Sequence, residues 1–286
     1  MTARQTSFSS RSVAIAAVLF GTVSLAIGAH AALNKRALDA AKAVTAESGA
    51  ESATTGARLA LVIGNGRYPD ANEPLAQPIN DARALTGALR RDGFDVDVVE
   101  DASKDDMARA IERLQAKIKP GSVVMLFFGG YGVQAGRESY MIPVDARIWK
   151  EADVRREGIS VETVLGVMKT QGAHVKLAVI DASRRNPYER RFRAFSHGLA
   201  PIDAPANALV LSSATPGKVV DDSSGENSVL VAELLNNLDG KSSGAEAVFN
   251  KTRAAVSRAS EGEQVPAVSS SLLDDVRFGA ESNAGS

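Results

Sequence analysis

Apolar and polar positions follow two periods along most of this chain. RLALVIGN (58–65), SVVMLFFGG (122–130), HVKLAVIDAS (174–183) and NALVLSSAT (207–215) are short, almost unbroken apolar runs that end in small or polar residues. Such runs suit strands buried on both faces of a parallel sheet. FDVDVVED (94–101) alternates with a period of two and predicts a half-buried strand. The segments between them have helical spacing. NDARALTGALRRDG (80–93) puts Ala82, Leu85 and Leu89 on one face, with Asn80 as the candidate cap and Gly93 as the stop. SKDDMARAIERLQAKI (103–118) has Asp106 three residues after Ser103, the capping-box spacing, and carries Met107, Ile111, Leu114 and Ile118 on one face. SVETVLGVMKT (160–170), capped by Ser160, SVLVAELLNNL (228–238) and SGAEAVFNKTRAAVSRAS (243–260) predict three more helices. Pro143 places YMIPVDA (140–146) in a side hairpin or at an edge, and LLDDVRFG (272–279) is expected to return to the sheet. Strands alternating with helices predict an α/β sandwich around a mainly parallel sheet.

In open sheets of this kind, sites form beyond the carboxyl ends of the strands. Four strand ends therefore matter: Gly64-Asn65, Gly129-Gly130-Tyr131-Gly132, Asp181-Ala182-Ser183-Arg184 and Ser212-Ser213-Ala214-Thr215. They are expected to lie along one rim. The second displays a tyrosine between glycines, which mark a sharp turn or a close approach of backbone to another group.

Composition narrows the chemistry. The 286 residues are 44% hydrophobic and 23% charged, ordinary for a globular chain with a substantial core. A net charge of −1 points to neither nucleic acid nor an anionic membrane surface as a partner. With no cysteine, disulfides, thiolate metal sites and a cysteine nucleophile are excluded. The three histidines, His30, His174 and His197, leave little material for a metal site.

At the amino terminus, Arg4 and Arg11 precede the apolar run from Val13 to Leu33, which contains Ala29-His30-Ala31 as a cleavage-type site. This pattern predicts a secretory signal peptide or, since the run is about long enough to span a bilayer, an uncleaved signal anchor. The expected organisation is a signal peptide or anchor over 1–33, a linker over 34–57, a folded domain over 58–279 and a disordered tail over 280–286. The expected location is periplasmic or extracellular, or anchored to the inner membrane by residues 13–33.

Six segments in order carry a family resemblance. They are LALVIGNGRY with Asn80-Asp81-Ala82, FFGGYGVQAGRESYMIPVDA, VIDASRRNP, GLAP with SSATPGKVV, GENSVLVAELL and QVPAVSSSL. Together they resemble the caspase-like family, peptidase clan CD, and its bacterial metacaspase and paracaspase members. The resemblance implies a caspase-like three-layer sandwich: a mostly parallel central sheet of about six strands with helices on both faces. It also implies a cysteine-type endopeptidase ancestry. Two positions depart from the family pattern. Tyr131 stands where the resemblance puts the catalytic histidine, and Ser183 where it puts the catalytic cysteine. A serine hydroxyl needs a strong, well-placed base, and a tyrosine is mostly protonated at neutral pH. The pair lacks both halves of the expected mechanism.

The expectation is therefore an exported pseudo-peptidase that binds a peptide or protein partner, an active caspase-like paralogue among the candidates. The alternative is a hydrolase that keeps activity through Ser183 with His197 or Tyr131. His174 begins the strand that ends near Ser183, and nine residues at about 3.3 Å each set it roughly 30 Å away. Substrate contacts are implied for Asp181, which in metacaspase-like members helps hold a basic side chain, and for Ser213. The other reading of Asp181 is a carboxylate bonding loop amides; Asp145 is read as loop-forming too. RRNPYERRFR (184–193) is a solvated basic loop or an anion-binding one. GNG (64–66) is a turn, since it lacks a nucleotide-loop signature. Asp221 and Asp222 read as solvated, and the resemblance assigns neither calcium ligands nor a cofactor here.

Overall fold

Alternate residues of each central strand face opposite helical layers, which is why the runs read as continuously apolar. The computed structural model describes residues 56–69, 74–188, 198–220, 225–238, 243–274 and 276–279. In chain order the first part comprises β1 (Arg58–Gly64), α1 (Gln77–Arg91), β2 (Asp95–Glu100), α2 (Lys104–Lys117) and β3 (Val123–Gly129). Next come β4 (Gly132–Ala135), β5 (Glu138–Met141), α3 (Glu151–Glu157), β6 (Ile159–Ser160) and α4 (Val161–Thr170). The remainder is β7 (Val175–Asp181), β8 (Ala208–Ser212), α5 (Val229–Leu238), β9 (Ser243–Gly244), α6 (Ala245–Ala259), β10 (Ala267–Ser270) and β11 (Arg277–Phe278).

The central sheet has six strands in the order β10-β8-β7-β3-β1-β2. Its pairings are parallel except for β10, which runs antiparallel to β8. Ala60, Val62, Met125, Phe127, Leu177 and Val179 pack with α1, α5 and α6 on one side. Leu61, Ile63, Leu126, Phe128, Ala178 and Ile180 pack with α2 and α4 on the other. This is the three-layer, mostly parallel caspase-like sandwich expected. A smaller sheet, β4-β5-β6, holds a third cluster with Tyr68, Val133, Ile142 and Tyr188; of the 140–146 segment only Tyr140 and Met141 join its β4–β5 hairpin, and Pro143 follows outside the strand.

Local signals act where expected in α2 and α4. Ser103 Oγ accepts from Asp106 N at 3.2 Å while Asp106 Oδ2 accepts from Ser103 N at 3.2 Å, a complete capping box. Ser160 Oγ accepts from Thr163 N at 3.1 Å. Three readings need correction. Helix α1 begins at Gln77, not after Asn80, because Pro78 has the φ of a first turn. Asn80 sits inside the helix and donates to Glu226 O at 3.2 Å. The 272–279 segment does not return to the central sheet. Arg277–Phe278 pairs with Ser243–Gly244, and Phe278 stacks on Phe94. The strand that closes the sheet is Ala267–Ser270, whose serines hide its pattern; Ser269 Oγ accepts from Ala204 N at 3.1 Å. Helix α3 carries no apolar stripe and is set by Asp153 Oδ2, which accepts from Trp149 N and Lys150 N at 3.1 Å. Among the described residues no helix is long and apolar enough to cross a membrane; residues 1–33 lie outside them.

Candidate active site

Register aligns the strand ends. Gly64, Gly129 and Asp181 are opposite one another across β1, β3 and β7, and Ile180 is opposite Ser212. The four carboxyl ends thus form one rim. At its β1 corner Asn65 is fully buried; its Oδ1 accepts from Ala102 N at 2.8 Å and its Nδ2 donates to Ile142 O at 3.2 Å. The GNG turn therefore staples neighbouring segments. At Gly64 a Cβ would sit 2.4 Å from Pro78 O, so glycine lets the start of α1 rest on the strand end.

The glycines around Tyr131 serve close approach. A Cβ on Gly130 would lie 2.6 Å from Tyr68 Oη, and one on Gly132 would lie 2.6 Å from Leu199 Cδ2 and 2.8 Å from Ala182 O. Tyr68 Oη accepts from Tyr131 N at 3.0 Å and donates to Ile142 O at 2.9 Å. Burial raises the Tyr68 hydroxyl far above its ordinary pKa, so it stays protonated. The Tyr131 ring meets Tyr68 edge-on, with centroids 4.8 Å apart. Tyr131 is thus held by an aromatic contact and by its backbone.

The Ser183 turn lies beside this one, since Gly132 N donates to Ala182 O at 3.0 Å. Ser183 N donates to Ser213 Oγ at 3.2 Å, and Ser183 O accepts from Val220 N at 2.8 Å. Ser213 is itself fully buried, and its carbonyl accepts from Gln264 Nε2 at 2.9 Å. Ser183 is 1% exposed, and its Oγ has no hydrogen-bond partner among the described residues. Tyr131 therefore does not bond across to Ser183 Oγ. His174 stands at the opposite end of β7, 3.0 Å from Asp274 Oδ2. His197 lies outside the described residues, as do Arg190, Arg191, Arg193, Asp221 and Asp222.

Asp181 is buried at the end of β7, and no loop amide among the described residues donates to its side chain. Its Oδ1 is 3.7 Å from Arg184 Nη1, and its Oδ2 has no partner among the described residues. On the same face of the sheet stands Asp81 of α1, also fully buried. Asp81 Oδ1 accepts from Asn227 Nδ2 at 2.9 Å and Ser228 N at 3.0 Å, while Oδ2 is unbonded. Burial, reinforced by the charge of Asp181, pushes the Asp81 carboxyl up to about 7. Arg184 is buried; its Nη1 donates to Gly130 O at 3.0 Å and to Asp181 O. The roles of Asp81, Arg184 and Tyr68 were not read from the sequence. For Asp81 a signal existed: it is an acid on the helical stripe that buries Pro78, Ala82 and Leu85. Asp145 is loop-forming, accepting from Lys104 N at 2.9 Å.

Chemically, the rim offers a buried hydroxyl with no base bonded to it among the described residues, a buried Asp181 carboxylate beside the Arg184 guanidinium, and a second buried carboxyl, Asp81, on the same side of the sheet. Next to it runs a groove of about 230 Å³ lined by Leu199, Ile202, Val210, Pro216, Ala267 and Val268. Ser212 and Ala214, the neighbours of Ser213, are on its wall. Among the described residues no group of three or more His, Asp or Glu side chains converges as a metal site.

A family model described as the caspase domain of peptidase C14 matches residues 57–277. The human mucosa-associated lymphoid tissue lymphoma translocation protein 1 is 28% identical over 134 residues, 46% of this chain and 16% of that protein. Its mouse homologue matches to the same extent. The matched segment is thus a small part of those relatives.

Proposed function

This chain belongs to the peptidase C14 caspase-domain family, and from that premise we propose that it is a pseudo-peptidase that binds a peptide or protein partner at the rim and does not cleave it. The observation that carries the reading is Ser183 Oγ, at the nucleophile position, buried and bonded to no base among the described residues. A serine becomes a nucleophile only when a base takes its proton. Tyr131, at the histidine position, packs against Tyr68 and leaves Ser183 Oγ alone. The rim nonetheless keeps buried carboxylates and an adjoining groove, which are assets for binding.

An active caspase-like paralogue is one candidate partner. Residues 1–33 are read as a signal peptide or anchor that exports the domain; mass spectrometry of the mature chain shows a start after Ala31 if the signal is cleaved. For the catalytic reading, the purified chain is assayed against peptide libraries with Arg, Lys and Asp before the scissile bond. No turnover is expected. Turnover abolished by Ser183→Ala overturns the proposal.

A further inference from the structure

The segment between β5 and α3 is irregular, yet it is tied down at nearly every step. Ile142 O accepts from Asn65 Nδ2 at 3.2 Å and from Tyr68 Oη at 2.9 Å, and Val144 N donates to Ala102 O at 3.0 Å. Ala146 and Ile148 are buried in the third apolar cluster. Trp149 N and Lys150 N both donate to Asp153 Oδ2 at 3.1 Å. Buried and exposed positions alternate here, which turns Arg147 and Trp149 to solvent, and Lys150 after them is exposed as well. Trp149 is the single tryptophan of the chain, and it is 65% exposed. An indole open to water on a fixed backbone has apolar area to bury and little ordering left to lose, which is how interface anchors are built.

We propose that Arg147, Trp149 and Lys150 form a docking strip for an acidic, partly apolar peptide segment of a partner protein, with an apolar side chain on the indole and carboxylates at the two cations. The charges around the strip decide the kind of partner. The acids nearby are engaged: Glu151 pairs with Arg155 at 2.9 Å, while Asp153 and Glu157 pair with Arg156 at 2.7 and 2.9 Å. Asp145 is turned onto the start of α2, where its Oδ1 accepts from Lys104 N at 2.9 Å. Arg147 and Lys150 form no ion pair among the described residues. The two cations that flank the indole are therefore left to an outside carboxylate, which favours acidic segments and rejects basic ones. The proposal goes beyond the binding reading above, since it uses no residue of the Ser183 turn and holds whether or not that serine is inert.

The test follows the fluorescence of Trp149 in the full chain, where no other tryptophan contributes. The probe is an acetylated, amidated Glu-Leu-Glu-Leu-Glu peptide at low salt; the Lys-Leu-Lys-Leu-Lys peptide and phosphatidylglycerol vesicles are the other arms. A saturable blue shift with the acidic peptide, weakened by added salt, is expected. Arg147→Ser combined with Lys150→Ser should weaken binding at least roughly tenfold. Trp149→Ala, followed by calorimetry, should weaken it at least roughly as much. All three side chains are exposed, so both variants should unfold at the wild-type midpoint. The absence of a saturable response overturns the proposal, as does an equal response to the basic peptide or a response to the vesicles alone. Acidic-peptide binding that survives both variants overturns it too. If neither variant folds, the strip is structural and the proposal fails. Peptide turnover abolished by Ser183→Ala would sink the pseudo-peptidase reading and leave this proposal standing.

Discussion

The two ends of β7 carry polar chemistry of opposite kinds. At the amino end, Lys176 Nζ donates to Ala173 O at 3.1 Å and to His174 O at 3.3 Å. Asn207 bridges His174 O, Asp274 Oδ2 and Leu273 N with bonds of 2.8, 2.8 and 3.0 Å. These side chains are matched to partners, and the result is a well-tied corner of the sheet. At the carboxyl end, Asp81 Oδ2, Asp181 Oδ2 and Ser183 Oγ are buried and unbonded among the described residues. Buried polar groups are normally satisfied, so these three atoms cost stability at this end.

Substitutions can break that contrast or sharpen it, with stability read by chemical denaturation. The largest effect is expected from Gly130→Ala. Its Cβ would meet Tyr68 Oη at 2.6 Å and Phe128 Cζ at 2.9 Å, and overpacking of this kind costs about 1–3 kcal/mol. A loss well below that range would show that the Tyr131 turn is looser than its contacts indicate. At the other end, Asn207→Ala removes three hydrogen bonds at a residue with φ of 54°, for a loss of about 1–2 kcal/mol. Little or no loss there would dissolve the claim that the amino end is tied by its side chains.

Next comes pH. The folded-state pKa of Asp81 is raised to about 7, above its unfolded value near 3.8. In that window the folded chain holds the proton more tightly than the unfolded one. The contribution to stability is full below about pH 4 and is lost as pH rises through about 7. Asp81→Asn should flatten this fall and make the chain more stable than wild type at pH 8. An unchanged pH profile would mean that the buried acid is not strained. Ser183→Ala should raise stability slightly, by up to about 1 kcal/mol, because it deletes an unbonded buried hydroxyl. A loss on this change would reveal a partner for Ser183 Oγ. The smallest effect is expected from His174→Ala, which removes a half-exposed contact with Asp274, less than about 1 kcal/mol.

Much of the architecture was legible in local pattern. The capping box of α2 needs residues only three apart, and continuous apolar runs predict strands covered on both faces. What failed locally was set from a distance. Strand β10 is half serine and is a strand because β8 offers its edge. Helix α1 begins early because Pro78 suits a first turn, a signal that Asn80 masked. At the rim, the motifs named Tyr131, Ser183, Asp181 and Ser213, but not their surroundings. Nothing local says that Arg184 turns inward under Gly130 while Arg185 stays exposed.

By itself, the sequence determined the layered α/β sandwich, the rim of four strand ends, and the absence of any thiol to act there. Those properties follow from hydrophobic period, turn residues and composition, which are local or global sums. Only the tertiary structure decided that Ser183 Oγ is buried with no base bonded to it among the described residues, that Tyr131 leans on Tyr68, and that the buried Asp81 carboxyl feels the charges of Asp181 and Arg184. Such meetings join residues that the chain keeps far apart. They depend on how helices seat on a sheet, and a one-dimensional pattern of apolar positions does not record that.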